Sequence, residues 1–264
     1  MGIIYSNDFI AASAITARSV DSGPPAFAAE NVQDYWHLKR RLRLDEADKS
    51  NINPILRIDI GAAKTVEAVF LNDINFDTVL ILGHASDLTT DWTAADFTSG
   101  IVSVSHDPLV GRYKIYVPLT AFNYRWIAIC VPTTASAVGP YQTKWEVGTV
   151  VLLDTVTELS KNMSYGYERG PKQDTVDTGS HSSVATSEVY WEGTAKFKTR
   201  SVAQEAEVLA LGKISMEDPM IFYENNGDTS KCYLCRRLSD YAGSQDAYNL
   251  VNGGPISFRE IVKR

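Results

Sequence analysis

The chain has 264 residues, 44% of them apolar and 22% charged, enough for one large or two modest domains with real cores. Lys and Arg total 25 against 32 Asp and Glu, a net charge of -7, which excludes a chain-wide basic field for gripping nucleic acid. No run approaches the roughly 18–20 apolar residues of a membrane helix, and the start, with no basic residue ahead of its apolar run, reads as no secretory signal.

In chain order, short β-branched and aromatic runs alternate with turn residues at 55–60, 66–71, 78–82, 101–104, 113–117, 125–130 and 145–151. Such spacing predicts a β-sandwich or barrel. Period-2 alternation puts Arg57, Asp59, Lys114 and Tyr116 on wet faces. Asp59 and Gly61 suit a strand end, where a carboxylate accepts turn N–H groups and Gly takes positive φ. Asn75 suits a loop whose backbone groups its amide can satisfy. Arg125 starts a run and is placed to pair with a carboxylate at the core edge.

Residues 161–181 hold Gly166, Gly170, Pro171 and Gly179 among Ser and Thr, and read as a long loop or arm. Two runs, 188–192 and 194–200, predict a hairpin around Gly193. Ser201 and Gln204 form a capping box for a helix over 201–214, with Val202, Ala206, Leu209 and Ala210 on one face. Pro219 blocks its continuation. Strands are predicted at 220–223, 232–238 and 256–262, the first two joined by the Asn225–Asp228 turn.

The three cysteines, Cys130, Cys232 and Cys235, are too few and of the wrong parity for a disulfide framework. Cys232 and Cys235 form a lone C-x-x-C with no second ligand pair. In a strand, positions i and i+3 face opposite ways, so neither zinc nor redox work is indicated and one core and one surface thiol are expected. No P-loop, dinucleotide fingerprint, nucleophile elbow or His-Glu-x-x-His occurs. Asp73, Asn75 and Asp77 begin like a calcium loop, but Thr78 and His84 stand where Gly and Glu are needed. No catalytic residue, cofactor or metal is therefore expected, and the chain is read as not an enzyme. The basic cluster 39–43 is followed by Asp45, Glu46 and Asp48 and reads as a solvated or intersubunit salt-bridge face, with anion contact as the alternative.

Several stretches together resemble the discoidin, or coagulation-factor type C, jelly roll, a galactose-binding-like β-sandwich. Ala28–Trp36 resembles the early A-x-N-x-x-D…W stretch, and Leu56–Gly61 the L-x-I-D-L-G strand. Asn75 stands where an Asn often follows the next strand. Leu88–Trp92 resembles the sample-W turn, Tyr124–Ile129 the R-Y-I-R-I strand and Trp145–Val147 the closing E-V strand. The resemblance covers about residues 5–155. No cysteine pair brackets it, unlike the secreted members, which fits versions folded inside cells on bacteriophage structural proteins. Weak ligand-binding candidates are Asp34, Trp36, Trp92 and Tyr141, aromatics to stack on sugar and a carboxylate to orient it, with packing at the sandwich rim the favoured role of the three aromatics. Asn31 and Asp34 are the only candidates for the calcium that some discoidin-like domains bind.

Residues 190–262 resemble, in order of elements alone, the ring-forming domains of phage tail and baseplate proteins. The expected organisation is thus mainly β. A discoidin-like sandwich spans 1–156, an extended linker or arm 157–189, and a β-rich ring-forming domain with one α-helix 190–264. The two resemblances imply a structural virion protein of a tailed phage, a tail-tip or baseplate ring subunit. It would be made in the host cytoplasm, form a homo-oligomeric ring, and contact tail-tube, baseplate or hub proteins, with no nucleic acid or membrane partner. The alternative is a carbohydrate-binding module that contacts a host-surface glycan.

Overall fold

The computed structural model describes residues 3–5, 10, 13–21, 27–34, 41–103, 113–137, 143–153, 156–158, 163–169, 172–175, 181–184, 189–198, 220–223, 231–238, 243–247 and 250–260. The chain forms two compact units. One comprises Tyr5–Val156 with Tyr223–Cys232, the other Met1–Ile4, Thr157–Phe222 and Tyr233–Arg264. The described residues are mainly β, as expected.

Strand β1 (Ile3–Tyr5) opens the chain, and the first unit follows. Its strands are β2 (Ala14–Ala17), β3 (Leu42–Arg43), β4 (Leu56–Thr65), β5 (Ala68–Ile74), β6 (Thr78–His84), β7 (Phe97–Ser103), β8 (Tyr113–Pro118), β9 (Asn123–Cys130), β10 (Glu146–Val147) and β11 (Thr149–Leu153). They make a five-stranded sheet in the order β2-β4-β9-β6-β7, a three-stranded sheet β11-β5-β8 and the pair β10-β3. Every pairing within them is antiparallel. These antiparallel sheets make the β-sandwich that the spacing of the sequence predicts.

Strand β4 shows why the pattern was readable. Leu56, Ile58 and Ile60 are buried while Arg57 and Asp59 face outward, half-buried. Strand β6 is buried on both faces until His84. Its outward residues Leu80 and Leu82, with Ala128 and Cys130 of β9, are covered by Trp92 from the loop between β6 and β7. Gly83 has no side chain because the ring of Phe122 occupies the space a Cβ would need. At the sheet's edge, β7 carries Gly100 at φ +68 beside an irregularity in its pairing with β6. Such a bulge blunts an edge that could otherwise recruit another strand.

The expected wet face of β8 is absent: Lys114 and Tyr116 are 8% and 5% exposed. Tyr223, part of the same unit, stacks on Tyr116 with ring centroids 4.2 Å apart. The run 145–151 is broken at Gly148, where β10 leaves β3 and β11 joins β5. The Gly148 N–H donates to the Asn72 carbonyl at 3.2 Å, and a Cβ there would overlap Asp73.

The second unit takes up β1 and adds β12 (Val156–Glu158), β13 (Met163–Arg169), β14 (Lys172–Thr175), β15 (His181–Val184), β16 (Val189–Lys198), β17 (Met220–Tyr223), β18 (Cys232–Arg237), β19 (Gly243–Ala247) and β20 (Leu250–Glu260). Eight strands make one sheet, β12-β1-β17-β18-β20-β16-β13, with β19 also on β20. The expected linker or arm over 157–189 is largely strand: β13 pairs with β16, and β14 pairs with β15. Its Ser, Thr and Gly content hid the backbone pairing, which needs no apolar run. The expected hairpin around Gly193 is one continuous strand, β16, in which Gly193 lies opposite the buried Phe258. A glycine there leaves room for a large neighbour across the ladder rather than marking a turn. The predicted helix over 201–214 and the turn over 225–228 lie outside the described residues, although the strands flanking that turn are ladder neighbours as predicted. Strand β18 is buried on both faces, so Cys232 and Cys235 are both core thiols rather than one core and one surface.

Candidate functional site

The register fixes the two ends of the sandwich. Ala14, where β2 begins, lies opposite Asp59, and Leu153, where β11 ends, lies opposite Ala68. The first strand therefore starts and the last strand stops at one pole. The opposite pole collects the connections after β2, before β4, between β5 and β6, after β7, and from β9 to β10. Loops gathered at one end of a rigid sandwich are the usual place for recognition.

That pole is braced by three cations and three carboxylates. The Arg41 Nε–H donates to Asp73 Oδ2 at 2.7 Å, and its Nη1 reaches Glu146 Oε2 at 3.5 Å. The Arg43 Nε–H donates to Glu146 Oε1 at 2.7 Å, and its Nη1 lies 3.9 Å from Asp21 Oδ2. Lys144 Nζ donates to the same Asp21 oxygen at 2.7 Å. Glu146 is fully buried, and its charge is tolerated there because two guanidinium groups face it. Asn75 locks the cluster from behind: its Nδ2 donates to the Lys144 carbonyl at 2.8 Å, and its Oδ1 accepts the Glu146 N–H at 2.7 Å. The guanidinium of Arg43 also sits 4.0 Å from the centroid of the Phe27 ring. Asp73 adopts φ +58 at the end of β5, a left-handed conformation that Asp tolerates better than most residues.

The network ties the segment before β4 to the one before β11. The 3₁₀ turn Ala29–Gln33 is held in turn: Asn31 Nδ2 donates to the Arg41 carbonyl at 3.1 Å, and Gln33 Nε2 donates to the Ile10 and Ser13 carbonyls at 2.6 and 2.9 Å. Trp145 completes the base, fully buried, with its indole N–H on the Asp48 carbonyl at 2.8 Å and its ring edge-on to Phe76.

Of the expected ligand residues, Asp34 is half-buried directly after the 3₁₀ turn, with its N–H on the Asn31 carbonyl. Trp36 and Tyr141 lie outside the described residues. They belong to connections that leave from and return to the braced pole. Trp92 is not a sugar platform. It is 1% exposed, and its indole N–H donates to the Thr89 carbonyl at 3.1 Å. The loop after β6 folds back over the sheet and puts this ring in the core.

The calcium candidates are otherwise engaged. The Asn31 amide serves Arg41, Asp73 pairs with Arg41, and Asp77 Oδ1 accepts the Ser136 N–H at 2.7 Å. Among the described residues no group of three or more His, Cys, Asp or Glu could hold a metal ion. Of the basic cluster, Arg41 and Arg43 turn inward to Asp73, Glu146 and Asp21 rather than to solvent, while Lys39 and Arg40 lie outside the described residues. The acids expected to cancel it pair elsewhere, Asp48 with Arg18 at 3.5 Å and Asp45 with the Ser19 hydroxyl at 3.0 Å.

A second polar group lies on the outward face of the five-stranded sheet. Asp59, Trp126 and His84 stand in register on the adjacent strands β4, β9 and β6. Arg125 donates to both Asp59 oxygens at 2.7 Å, the predicted core-edge pairing, and its Cζ lies 5.8 Å from the Trp126 ring centroid. With the Gly61 N–H also on Asp59 Oδ1, the Arg125 hydrogen bonds hold this carboxyl below the usual Asp range. His84 Nδ1 lies 2.9 Å from the Ser86 nitrogen and 3.0 Å from the Ser86 carbonyl oxygen, and Nε2 lies 3.5 Å from Asp96 Oδ2. Trp126 is half-buried, packed on the Trp92 cluster. The sequence marks Trp126 only as a strand residue; its neighbours Asp59 and His84 follow from the register of three strands.

No family model and no curated protein matches the chain. Among solved structures, it is similar to a Ruminococcus gnavus GH29 fucosidase in complex with fucose, at 12% identity and a TM-score of 0.40. That match covers 56% of this chain and 27% of the fucosidase, so the chain spans well under half of that enzyme's length. It is also similar to two modules from Clostridium perfringens. CpGH89CBM32-4 matches at 12% identity and a TM-score of 0.36, covering 56% of this chain and 98% of the module. CBM32-1 from a family 31 glycoside hydrolase matches at 14% and 0.37, covering 53% and 93%.

Proposed function

We propose that the first unit is a carbohydrate-recognition module that holds a surface glycan in the loops of its braced pole, and that the chain binds rather than catalyses. The observation that carries this reading is the charge-neutral network beneath those loops. It fixes strands β3, β5 and β10, Lys144 and the 3₁₀ turn Ala29–Gln33 to one another, a rigid base for recognition at that pole. The discoidin-like fold supports it, as do the aromatic residues Trp36 and Tyr141 in the 22–40 and 138–143 connections.

A fitting test is an array of immobilised neutral and sialylated glycans, probed with the full chain and with Trp36→Ala. The reading expects binding to a restricted glycan class, lost or strongly weakened in the variant. Binding to no glycan by a folded, monodisperse wild-type chain overturns it.

A second reading is favoured by a different observation. Strands β14 and β15 pair with each other and continue the β13–β16 hairpin beyond the eight-stranded sheet. An isolated two-stranded ribbon is marginal in water and gains from a partner to lie against. This suits a tail-tip or baseplate ring subunit of a phage virion whose ribbon reaches a neighbouring copy. Light scattering with negative-stain imaging separates the two: closed rings support the tail subunit, and a strict monomer at all concentrations removes it.

A further inference from the structure

The outward face of the five-stranded sheet carries a group of side chains that the fold does not require. Asp59, Trp126 and His84 form one row across β4, β9 and β6. Neighbouring strands lie about 4.8 Å apart, so the carboxylate and the imidazole flank the indole on either side, about 10 Å from each other. The positions around the row are small and exposed: Ala14 and Thr16 on β2, and Thr98 on β7, which lies opposite Leu82. Trp126 itself is half-buried: it packs with Leu88 and Ala95 on the Trp92 cluster and keeps part of its surface exposed.

Each flanking group is held in place and keeps hydrogen-bonding capacity. Asp59 is fixed by the two Arg125 hydrogen bonds and the Gly61 N–H. A carboxylate has about four acceptor sites, and a guanidinium five N–H donors of which this contact uses two. Arg125 is 46% exposed, so its remaining donors face solvent. The His84 ring is fixed through Nδ1 by Ser86, and its Nε2 lies 3.5 Å from the half-exposed Asp96. An exposed ion pair such as Asp59–Arg125 adds at most about 1 kcal/mol to folding. Its bidentate geometry beside a half-buried indole therefore invites a role in recognition.

We infer that this row is a second carbohydrate contact: the apolar face of a neutral hexopyranose lies on Trp126, and its hydroxyls bond Asp59 and Arg125 on one side and His84 on the other. The chemistry selects that ligand class. A pyranose has a C–H face for an aromatic ring and, at its rim, hydroxyls that each donate and accept. The row offers an acceptor and donors on one side and an imidazole nitrogen, which meets either end of a hydroxyl, on the other. A strongly anionic ligand is disfavoured by Asp59, Asp96 and Asp87 on the same face, where Asp87 pairs with Arg57. The inference rests on the carbohydrate-recognition reading and adds a site remote from the loop pole. Two weak contacts on one module raise the avidity for a multivalent surface, since the second binding step becomes intramolecular.

The test is two-dimensional NMR of the full chain, with backbone and indole signals assigned, titrated with D-galactose, D-glucose, N-acetylglucosamine and L-fucose in turn. The inference expects one sugar to shift the Trp126 indole and the Asp59, His84 and Arg125 signals together. Trp126→Leu keeps an apolar side chain on the Trp92 cluster, and His84→Ala guards against a packing effect. Both should weaken that set of shifts roughly tenfold, the loss of about one stacking or hydrogen-bond contact. Shifts at Asp34 and Arg41 alone, unaffected by either variant, overturn the sheet-face contact and leave the loop-pole reading standing. No shift with any sugar, together with a blank glycan array, overturns both.

Discussion

Removing the Glu146 carboxylate should be among the most damaging single changes to the sandwich. The group is fully buried and faces Arg43 at 2.7 Å and Arg41 at 3.5 Å. Glu146→Ala leaves two guanidinium groups without their shared counter-charge, a situation that costs about 3–5 kcal/mol when the charges stay buried. Arg41 and Arg43 keep 20% and 17% of their side-chain exposure, and Asp73 and Asp21 remain beside them, so the cost should fall near 3 kcal/mol. For a unit of this size that corresponds to a drop in Tm of about 6–12 °C. The assay is differential scanning calorimetry of the full chain, with the transition of the sandwich identified by its buried-tryptophan fluorescence. Glu146→Gln keeps the shape and one acceptor and should lose less. Glu146→Leu combined with Arg43→Met should recover part of the loss, because an apolar pair of similar volume can replace a buried ion pair. A drop below about 2 °C in Glu146→Ala would refute the reasoning, since the pole would then be held by packing alone.

Other expectations follow from the same geometry. Trp92→Ala should destabilise the sandwich by about 3–5 kcal/mol, as for a large core aromatic. Trp92→Phe, which keeps most of the packing, should leave glycan binding unchanged in the array. Loss of binding in a stably folded Trp92→Phe would restore this residue as a ligand contact. Burial pushes the Cys130 thiol up to about 12. With all three cysteines buried, the native chain should consume almost no Ellman's reagent at pH 8 and release three thiols on denaturation. Rapid reaction of the native chain would contradict this. The Asp59 carboxyl is held below its usual range by Arg125, so its stabilising effect is complete above about pH 4 and is lost as pH falls through the lowered folded value. Asp59→Asn should therefore lower the stability slightly at pH 7, by less than about 1 kcal/mol, and match the wild type in strong acid. A gap that persists unchanged into acid would point to lost packing instead.

Much of the sandwich was legible because its strands obey a local rule. Leu56, Ile58 and Ile60 alternate with Arg57 and Asp59, and that alternation alone orients β4. Arg125, at the start of a run, was expected to pair with a carboxylate at the core edge, and the register supplies Asp59 as that partner. The braced pole was not legible. Its contacts join residues 32, 103, 105 and 123 positions apart, and no local pattern marks Arg41 and Arg43 as inward rather than solvated. The nearby acids Asp45, Glu46 and Asp48 offered a nearer and misleading pairing. Trp92 was expected to pack at the rim rather than bind, and it does pack; its position in a polar loop hid how far the loop folds back to lay the ring over Leu80 and Leu82. In the second unit the Ser- and Gly-rich stretch concealed β13 to β15, whose pairing uses backbone groups that every residue carries.

The most direct test of the recognition reading is isothermal titration of the full chain with the glycan that binds most strongly on the array, alongside Trp36→Ala. The reading predicts saturable heat in the wild type, with a Kd at least roughly tenfold weaker in the variant, the loss of one aromatic contact. Equal heats and equal affinity in the two proteins would place the ligand away from the braced pole and contradict it.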